Sequence, residues 1–150
     1  MDMNYTPTPV NDQKSVDRLR EFLKANKLPA SDLKLEGSWF VLYQEADGTI
    51  VGSGGLEQHG NTGLLRSVAV TEKLRGQALG GLIVEDIIAK AKRLNLTELY
   101  LLTETARAYF LKKGFQDVPR EIVPEGIKQT TEFSLVCPVS AAVMKLTIHS

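Results

Sequence analysis

The chain is poor in the residues that carry redox and metal chemistry. Of its 150 residues one is cysteine, Cys137, and two are histidine, His59 and His149. A lone cysteine has no internal disulfide partner, which suits a reducing cytosol. The three residues show no metal-ligand spacing, so no metal is expected. Nothing in the sequence sets a histidine beside Cys137 to activate it, so an inert thiol is read there rather than an acyl-cysteine intermediate. An excess of one charge is also missing, since Lys+Arg and Asp+Glu number 18 each. A nucleic-acid surface normally shows a basic excess, and no such partner is expected. No apolar run approaches the ~20 residues that cross a bilayer. The opening MDMNYTPTP lacks the charged-then-apolar order of a signal peptide. These shortages point to a soluble, cytoplasmic protein with one domain over residues 1–150 and no membrane partner.

What is present is a hydrophobic period that changes along the chain. Residues 1–9, with Pro7 and Pro9, read as a loose lead-in. Asn11 or Asp12 can cap a helix that carries Val16, Leu19, Phe22 and Leu23 and stops at Pro29. A helical turn follows over 31–35. Strands are expected at 39–43 and 49–56, joined by an Asp47-Gly48 turn, and at 64–70 after a turn at 59–61. A long helix over 76–94 puts Leu79, Leu82, Ile83, Ile87, Ala91 and Leu94 on one face. Asp86, Lys90 and Arg93 take the other, with Asp86 and Lys90 spaced as a favourable pair. A strand at 98–102, a helix over 104–113 between Thr103 and Gly114, a strand at 115–118, a short helix or loop insertion at 124–133 and a final strand at 141–148 complete the chain. Strand, helix and strand over 64–102 form a βαβ crossover, which makes strands 64–70 and 98–102 parallel. The fold class is α/β (α+β): an antiparallel meander continued by one parallel crossover in a mixed sheet, with helices on both faces.

The crossover enters its helix through SVAVTEKLRGQALGG, residues 67–81. The first N–H groups of a helix lack internal partners, and the helix dipole adds partial positive charge there. An anion fits that position. Glycine lets an anion approach the backbone, and Arg75 offers a forked cation suited to phosphate. The stretch therefore reads as a phosphate cradle. It is not a Walker loop, because Gly-Lys-Ser/Thr is absent. The glycines of GSGG at 52–55 lead into another strand, so they mark a bend or bulge rather than a dinucleotide loop.

SVAVTEKLRGQALG resembles the acetyl-CoA loop of the GNAT superfamily of N-acetyltransferases. That pattern is Arg or Gln, two residues, Gly, one residue, then Gly or Ala; here it runs Arg75, Gly76-Gln77, Ala78, Leu79, Gly80. Ala78 stands where glycine is usual. Alanine is harmless there if the backbone is helical and costs about 1–2 kcal/mol if it is left-handed; the helical alternative is favoured. The resemblance continues through LLRSVAV, LYLLT and ARAYFLKKGF in the superfamily's order, over roughly 39–118. More narrowly, GLEQHG, LYLLTETA, FLKKGF and the tail TTEFSLVCPVSAAVM resemble a subgroup associated with arsenic-resistance genes.

The resemblance implies acetyl-CoA as co-substrate. It implies contacts from Val68, Ala69, Val70, Arg75, Gly76, Gln77, Ala78, Leu79, Gly80, Gly81 and Phe110. The strand before the loop should splay from its parallel neighbour at a bulge, with pantetheine in the gap on the backbone of Val68 and Val70. The implied reaction is direct acetyl transfer to the amine of a small molecule, an amino acid or amino-acid-like toxin being one acceptor class. A non-catalytic acyl-CoA-binding sensor is the alternative, motivated by Ala78 and by Phe110, which replaces the tyrosine that meets the leaving sulfur in many relatives. A homodimer through the apolar final strand is a further expectation.

Direct transfer needs a neutral amine, a held thioester and a donor for the oxyanion. A thiolate whose conjugate acid has a pKa of about 8.5 needs little help to leave. Glu57 is a candidate base, weighed equally against a solvated hairpin charge. Glu72 reads as a surface charge. Tyr109 is a candidate acid, but one helical step turns a side chain by ~100°, so a half-buried core tyrosine is favoured. Arg66 interrupts an apolar strand, and alternation places it with Leu64 and Val68. A buried arginine requires an anion. Glu57 is preferred in that role to the carboxylate of an acceptor, for which Arg107 and Arg120 are further candidates. His59, beside Gly60, reads as a turn residue.

Overall fold

The structure, a computed structural model, describes residues 5–28, 30, 33–75, 78–103, 106–129 and 141–148. Its strands are β1 (Thr6–Pro9), β2 (Ser38–Gln44), β3 (Ile50–His59), β4 (Thr62–Val70), β5 (Glu98–Thr103), β6 (Gln116–Asp117) and β7 (Ala142–Thr147). They form one seven-stranded sheet in the order β1-β2-β3-β4-β5-β7-β6. β4 and β5 are parallel, and the other neighbours are antiparallel. The helices are α1 (Gln13–Ala25), α2 (Leu79–Arg93), α3 (Arg107–Lys112) and α4 (Glu125–Lys128). The expected mixed sheet, with its meander and crossover, is the one observed.

The expected lead-in is largely a strand. β1 pairs with β2, Thr6 opposite Gln44 and Pro9 opposite Val41. The prolines do not prevent this, because Pro7 and Pro9 fall on alternate residues whose missing N–H groups face away from β2. Val10 N–H then donates to Phe40 O at 2.9 Å. The same prolines deny the outer edge of β1 to another chain. Asp12 is the cap of α1. Its carboxylate accepts the Ser15 N–H at 2.8 Å, and Ser15 answers from its side chain. Those bonds hold the Asp12 carboxyl below its ordinary value, so the cap weakens only when the medium becomes strongly acidic. α1 ends before Pro29, at Asn26, with Lys27 at φ +60°. Residues 33–35 are not helical, and 31–32 lie outside the described residues.

Two cores flank the sheet. On one face α2 lays Leu79, Ile83, Ile87 and Ala91 on Val41, Tyr43, Leu56 and Leu65, with Phe110 and Phe115 alongside. On the other, α1 sets Leu19 and Leu23 on Phe40, Leu42 and Ala69. Further along that face Leu64, Tyr100 and Val143 lie under Val123 and Ile127. The GSGG run is what lets α2 come so close. A Cβ on Gly54 would stand 2.8 Å from Ile83 Cγ2 and 3.0 Å from Ile87 Cδ1. Gly54→Val should therefore lose about 1–3 kcal/mol by overpacking, read from denaturant unfolding.

One expectation about an exposed surface is corrected. Asp86 does not form an ion pair with Lys90 among the described residues. It accepts the hydroxyl of fully buried Tyr43 at 2.7 Å, and Lys90 lies over the Trp39 ring at 5.7 Å. Asp86 and Lys90 are half-buried against β2, and Arg93 is exposed. Burial, then the bond to Asp86, raises the Tyr43 pKa well above its usual 10.0. The folded chain holds this proton longer than the unfolded one. Tyr43 therefore stabilises the fold fully below about pH 10 and less as pH rises beyond it. Unfolding free energy should fall more gently above about pH 10 in Tyr43→Phe than in the parent; equal slopes would contradict this. β7, the strand expected to pair with a second copy, is paired along its length with β5 and, on its other side, with β6 at Met144 and Lys145.

Candidate functional site

The β4–β5 ladder is short. It pairs Thr62 with Glu98, Gly63 with Leu99 and Leu64 with Tyr100, and goes no further. Beyond Leu64, β4 continues to Val70 and β5 to Thr103 without pairing to each other. The divergence coincides with a bulge. Opposite β3, Ser53 faces Ala69 and Gly55 faces Arg66, so β4 takes three steps against two. Ser67 absorbs the extra residue at φ +59°. Its carbonyl accepts the buried Ser53 hydroxyl at 2.7 Å. The bulge also reverses which side chains face which core. Arg66 stays with Leu64, but Val68 and Val70 pack on the α2 side and Ala69 on the α1 side. Strict alternation, which grouped Val68 with Arg66, fails at Ser67.

β4 leads through the turn Glu72–Leu74 and Arg75 to α2. Ala78 has φ −75° and ψ −10°, a right-handed helical backbone, so alanine costs nothing there. Among the described residues no side chain caps α2, and its first turn holds no acid. Its leading N–H groups therefore look outward. Gly80 and Gly81 have ordinary φ values. A Cβ on Gly80 would meet nothing nearer than the Tyr109 hydroxyl at 3.7 Å and Val70 Cγ2 at 3.9 Å. Neither strain nor crowding from the described residues demands glycine at position 80. In a helix each glycine costs about 0.8–1.0 kcal/mol against alanine, so the pair is better explained by room kept for a ligand. Arg75 donates to Val70 O and to Asn26 Oδ1, both at 3.0 Å, and has no ion pair among the described residues. Uncapped amides, bare glycines and an arginine without a carboxylate fit a diphosphate such as that of acetyl-CoA. Gly76 and Gln77 lie outside the described residues.

Arg66 and Glu57 meet on the α1 side of the sheet. Arg66 Nη1 lies 2.6 Å from Glu57 Oε1, with the Arg66 side chain fully buried and Glu57 at 14% exposure. Arg66 also donates to Ser67 Oγ at 3.2 Å and lies 5.9 Å from the Phe40 ring centroid. The internal carboxylate is thus the partner. His59 ends β3 rather than sitting in the turn, and its Nε2 lies 3.2 Å from Glu57 Oε2. Both Glu57 oxygens are engaged. Residues two apart on a strand share a face, so the extension of β3 to His59, beyond the expected 49–56, brings the imidazole to Glu57. A second polar group was also missed. Glu98 accepts from Tyr100 and from Lys145, both at 3.2 Å. Burial, then the Glu98 charge, pushes the Tyr100 pKa up to about 12. The alternation Glu98, Tyr100, Leu102 in β5 was its only signal.

The remaining candidates lie elsewhere. Phe110 is buried, edge-on to Phe115 at 5.4 Å between ring centroids. Tyr109 is 37% exposed, and its hydroxyl points at Gly80 and Gly81. It is therefore not a core tyrosine, and it stands at the start of α2. Arg107 is exposed and grips Asp117 through Nε and Nη2. Arg120 donates to Ala141 O at 3.3 Å. Cys137 and His149 lie outside the described residues. Among the described residues no cluster of His, Cys, Asp and Glu could hold a metal, and no helix is long and apolar enough to cross a membrane.

The chain resembles known proteins in this same region. The "Amino-acid acetyltransferase" of Escherichia fergusonii is 35% identical over 66 residues, 44% of this chain but 15% of that protein's length. An N-acetylglutamate synthase from Neisseria gonorrhoeae, solved with coenzyme A and N-acetyl-glutamate, superposes with a TM-score of 0.77 at 16% identity. It covers all of this chain and 36% of its own. A Mycobacterium tuberculosis protein, Rv2747, solved with CoA and NLQ, gives 0.74 at 22% identity, covering 96% of this chain and 99% of its own. These two likenesses speak for the fold. The model of the acetyltransferase (GNAT) domain matches residues 36–117, more than half of the sequence, from the turn before β2 through the splayed strands and α2 to β6. The chain belongs to the GNAT acetyltransferase family.

Proposed function

We propose that the chain moves the acetyl group of acetyl-CoA to the amine of a small molecule, directly in a ternary complex. The observation that carries this is the end of the β4–β5 ladder at Leu64, followed by the Ser67 bulge and the uncapped start of α2. A strand edge with unpaired N–H groups suits pantetheine, and a positive helix end suits a diphosphate. On this reading Arg75, Ala78, Leu79, Gly80 and Gly81, with Gly76 and Gln77 between them, hold the diphosphate. The Val68 and Val70 backbone holds the pantetheine arm, and one of their N–H groups faces the developing oxyanion. When bound, acetyl-CoA supplies the activated acyl group; the chain supplies position, donors and a dry gap. Calorimetry tests the cradle. Arg75→Glu should weaken coenzyme A binding at least about tenfold in protein that unfolds at the parent temperature. Unchanged affinity would refute it.

The acceptor is an amine, and the relatives named as amino-acid acetyltransferases favour an amino acid or a close analogue. Arg66 already serves Glu57, so an acceptor carboxylate would have to compete for it. The finer kinship with the arsenic-resistance-associated subgroup rests on GLEQHG, LYLLTETA and the tail. Two observations favour the rival reading, a non-catalytic acyl-CoA sensor: Phe110 is sealed in the core, and both Glu57 oxygens are occupied. Thiol release from acetyl-CoA across amino acids, polyamines and small amines separates the two. Turnover on any of them favours the transferase; tight binding without turnover on all of them favours the sensor.

A further inference from the structure

α3 places two polar groups against the first turn of α2 that neither the loop pattern nor the fold requires. Lys113 follows α3 directly. Its Nζ stands 3.1 Å from where a Cβ on Gly81 would lie, and the Tyr109 hydroxyl stands 3.8 Å from the same point. Lys113 Nζ also lies 5.7 Å from the Tyr109 ring centroid, which sets the two side chains side by side. The placement is electrostatically odd. The start of a helix is its positive end, where a cation is unfavourable and an anion favourable. No acid stands in the first turn of α2 to offset it. Glu85 lies one turn further on. It raises the Tyr109 pKa through space, after burial, but forms no ion pair with Lys113 among the described residues. Arg75, the residue that leads toward α2, likewise has no carboxylate partner there. The Arg75 guanidinium is turned to Val70 O and to Asn26 at the end of α1, so among the described residues Lys113 is the cation placed against the first turn of α2.

We propose that Lys113 and Tyr109 form a second wall of the cradle, with the Lys113 ammonium and the Tyr109 hydroxyl binding the diphosphate of the acyl donor opposite the α2 amides. This rests on the proposed acetyl-CoA reading and goes beyond its loop residues. It gives Tyr109 a task at the diphosphate rather than at the leaving sulfur. It also makes the donor's diphosphate a specificity element. A donor arm without any phosphate, such as pantetheine, offers Lys113 no charge to bind. A tyrosine that keeps its proton suits a donor of hydrogen bonds. A Cβ on Gly81 would stand 3.1 Å from the Lys113 ammonium and push it aside by a few tenths of an ångström, so glycine leaves the ammonium its place.

The test is calorimetric and needs no acceptor. Coenzyme A, 3′-dephospho-coenzyme A and pantetheine are titrated into the parent, Lys113→Gln, Lys113→Arg and Tyr109→Phe. In Lys113→Gln the affinity for coenzyme A and for the 3′-dephospho form should both fall roughly tenfold. Pantetheine affinity should change little, and Lys113→Arg should restore most of the loss. Tyr109→Phe should show a smaller loss with the same pattern. A loss confined to coenzyme A would assign Lys113 to the 3′-phosphate and overturn the proposal. Unchanged affinities for all three would also overturn it, while leaving the cradle itself intact. Failure of the parent to bind coenzyme A would instead sink the acetyl-CoA reading.

Discussion

Gly80→Asp should fold as well as the parent and lose about a hundredfold or more in coenzyme A affinity, roughly 2.7 kcal/mol. The two halves of this result have opposite causes. The backbone at Gly80 is ordinary helix, and a Cβ there meets nothing closer than 3.7 Å. An aspartate in the first turn faces the positive helix end and favours the free protein by about 0.3–1 kcal/mol. The same charge repels a diphosphate and occupies its place. Thermal unfolding without ligand should therefore show equal or slightly raised stability. Calorimetry should show binding nearly gone. A structural role for Gly80 predicts the reverse, a destabilised protein that still binds.

The second large effect concerns the buried ion pair. Glu57→Leu removes a carboxylate that lies 2.6 Å from an arginine whose side chain has no solvent exposure. Breaking a buried ion pair by removing one partner costs about 3–5 kcal/mol. At roughly 2–4 °C per kcal/mol for a chain of this size, the melting temperature should fall by about 10 °C. Adding Arg66→Met should return most of the loss, because an apolar pair can replace a buried ion pair at little cost. A Glu57→Leu protein that loses less than about 1 kcal/mol would show that Arg66 is held by other groups. The repaired double variant also bears on chemistry. If it still transfers acetyl groups, Glu57 is a structural anchor and the base lies elsewhere. If it binds coenzyme A but fails to turn over, the Glu57 carboxylate or its His59 contact handles the proton.

Much of this was legible because the residues concerned act locally. Asp12 caps α1, Asp47-Gly48 turns the first hairpin, and Gly114 at φ +99° lets the chain leave α3. Each is decided by neighbours a few residues away. Arg66 was readable for a different reason, since a guanidinium in an apolar strand must find an anion and Glu57 was within reach across the hairpin. The misses depend on tertiary register. Pro7 and Pro9 suggested a loose segment, but edge pairing uses only alternate N–H groups. Nothing in the spelling of Ser67 announces a left-handed residue, yet that single bulge sends Val68 to the opposite core and ends the parallel ladder. The polar face of α2 looked solvated until β2 brought Tyr43 beneath Asp86. The candidate site follows the same division. Its loop was visible as glycines and an arginine, whereas the wall from Tyr109 and Lys113 exists only once α3 packs beside α2.

One measurement bears most directly on the cradle: backbone amide resonances followed while coenzyme A is added to labelled protein. The account predicts the largest shifts at Val68, Val70 and Ala78 to Gly81, with Gln58 in β3 and Leu23 in α1 unmoved. Shifts gathered elsewhere, such as the outer face of α1 around Arg18 and Phe22, with the start of α2 silent, would contradict it.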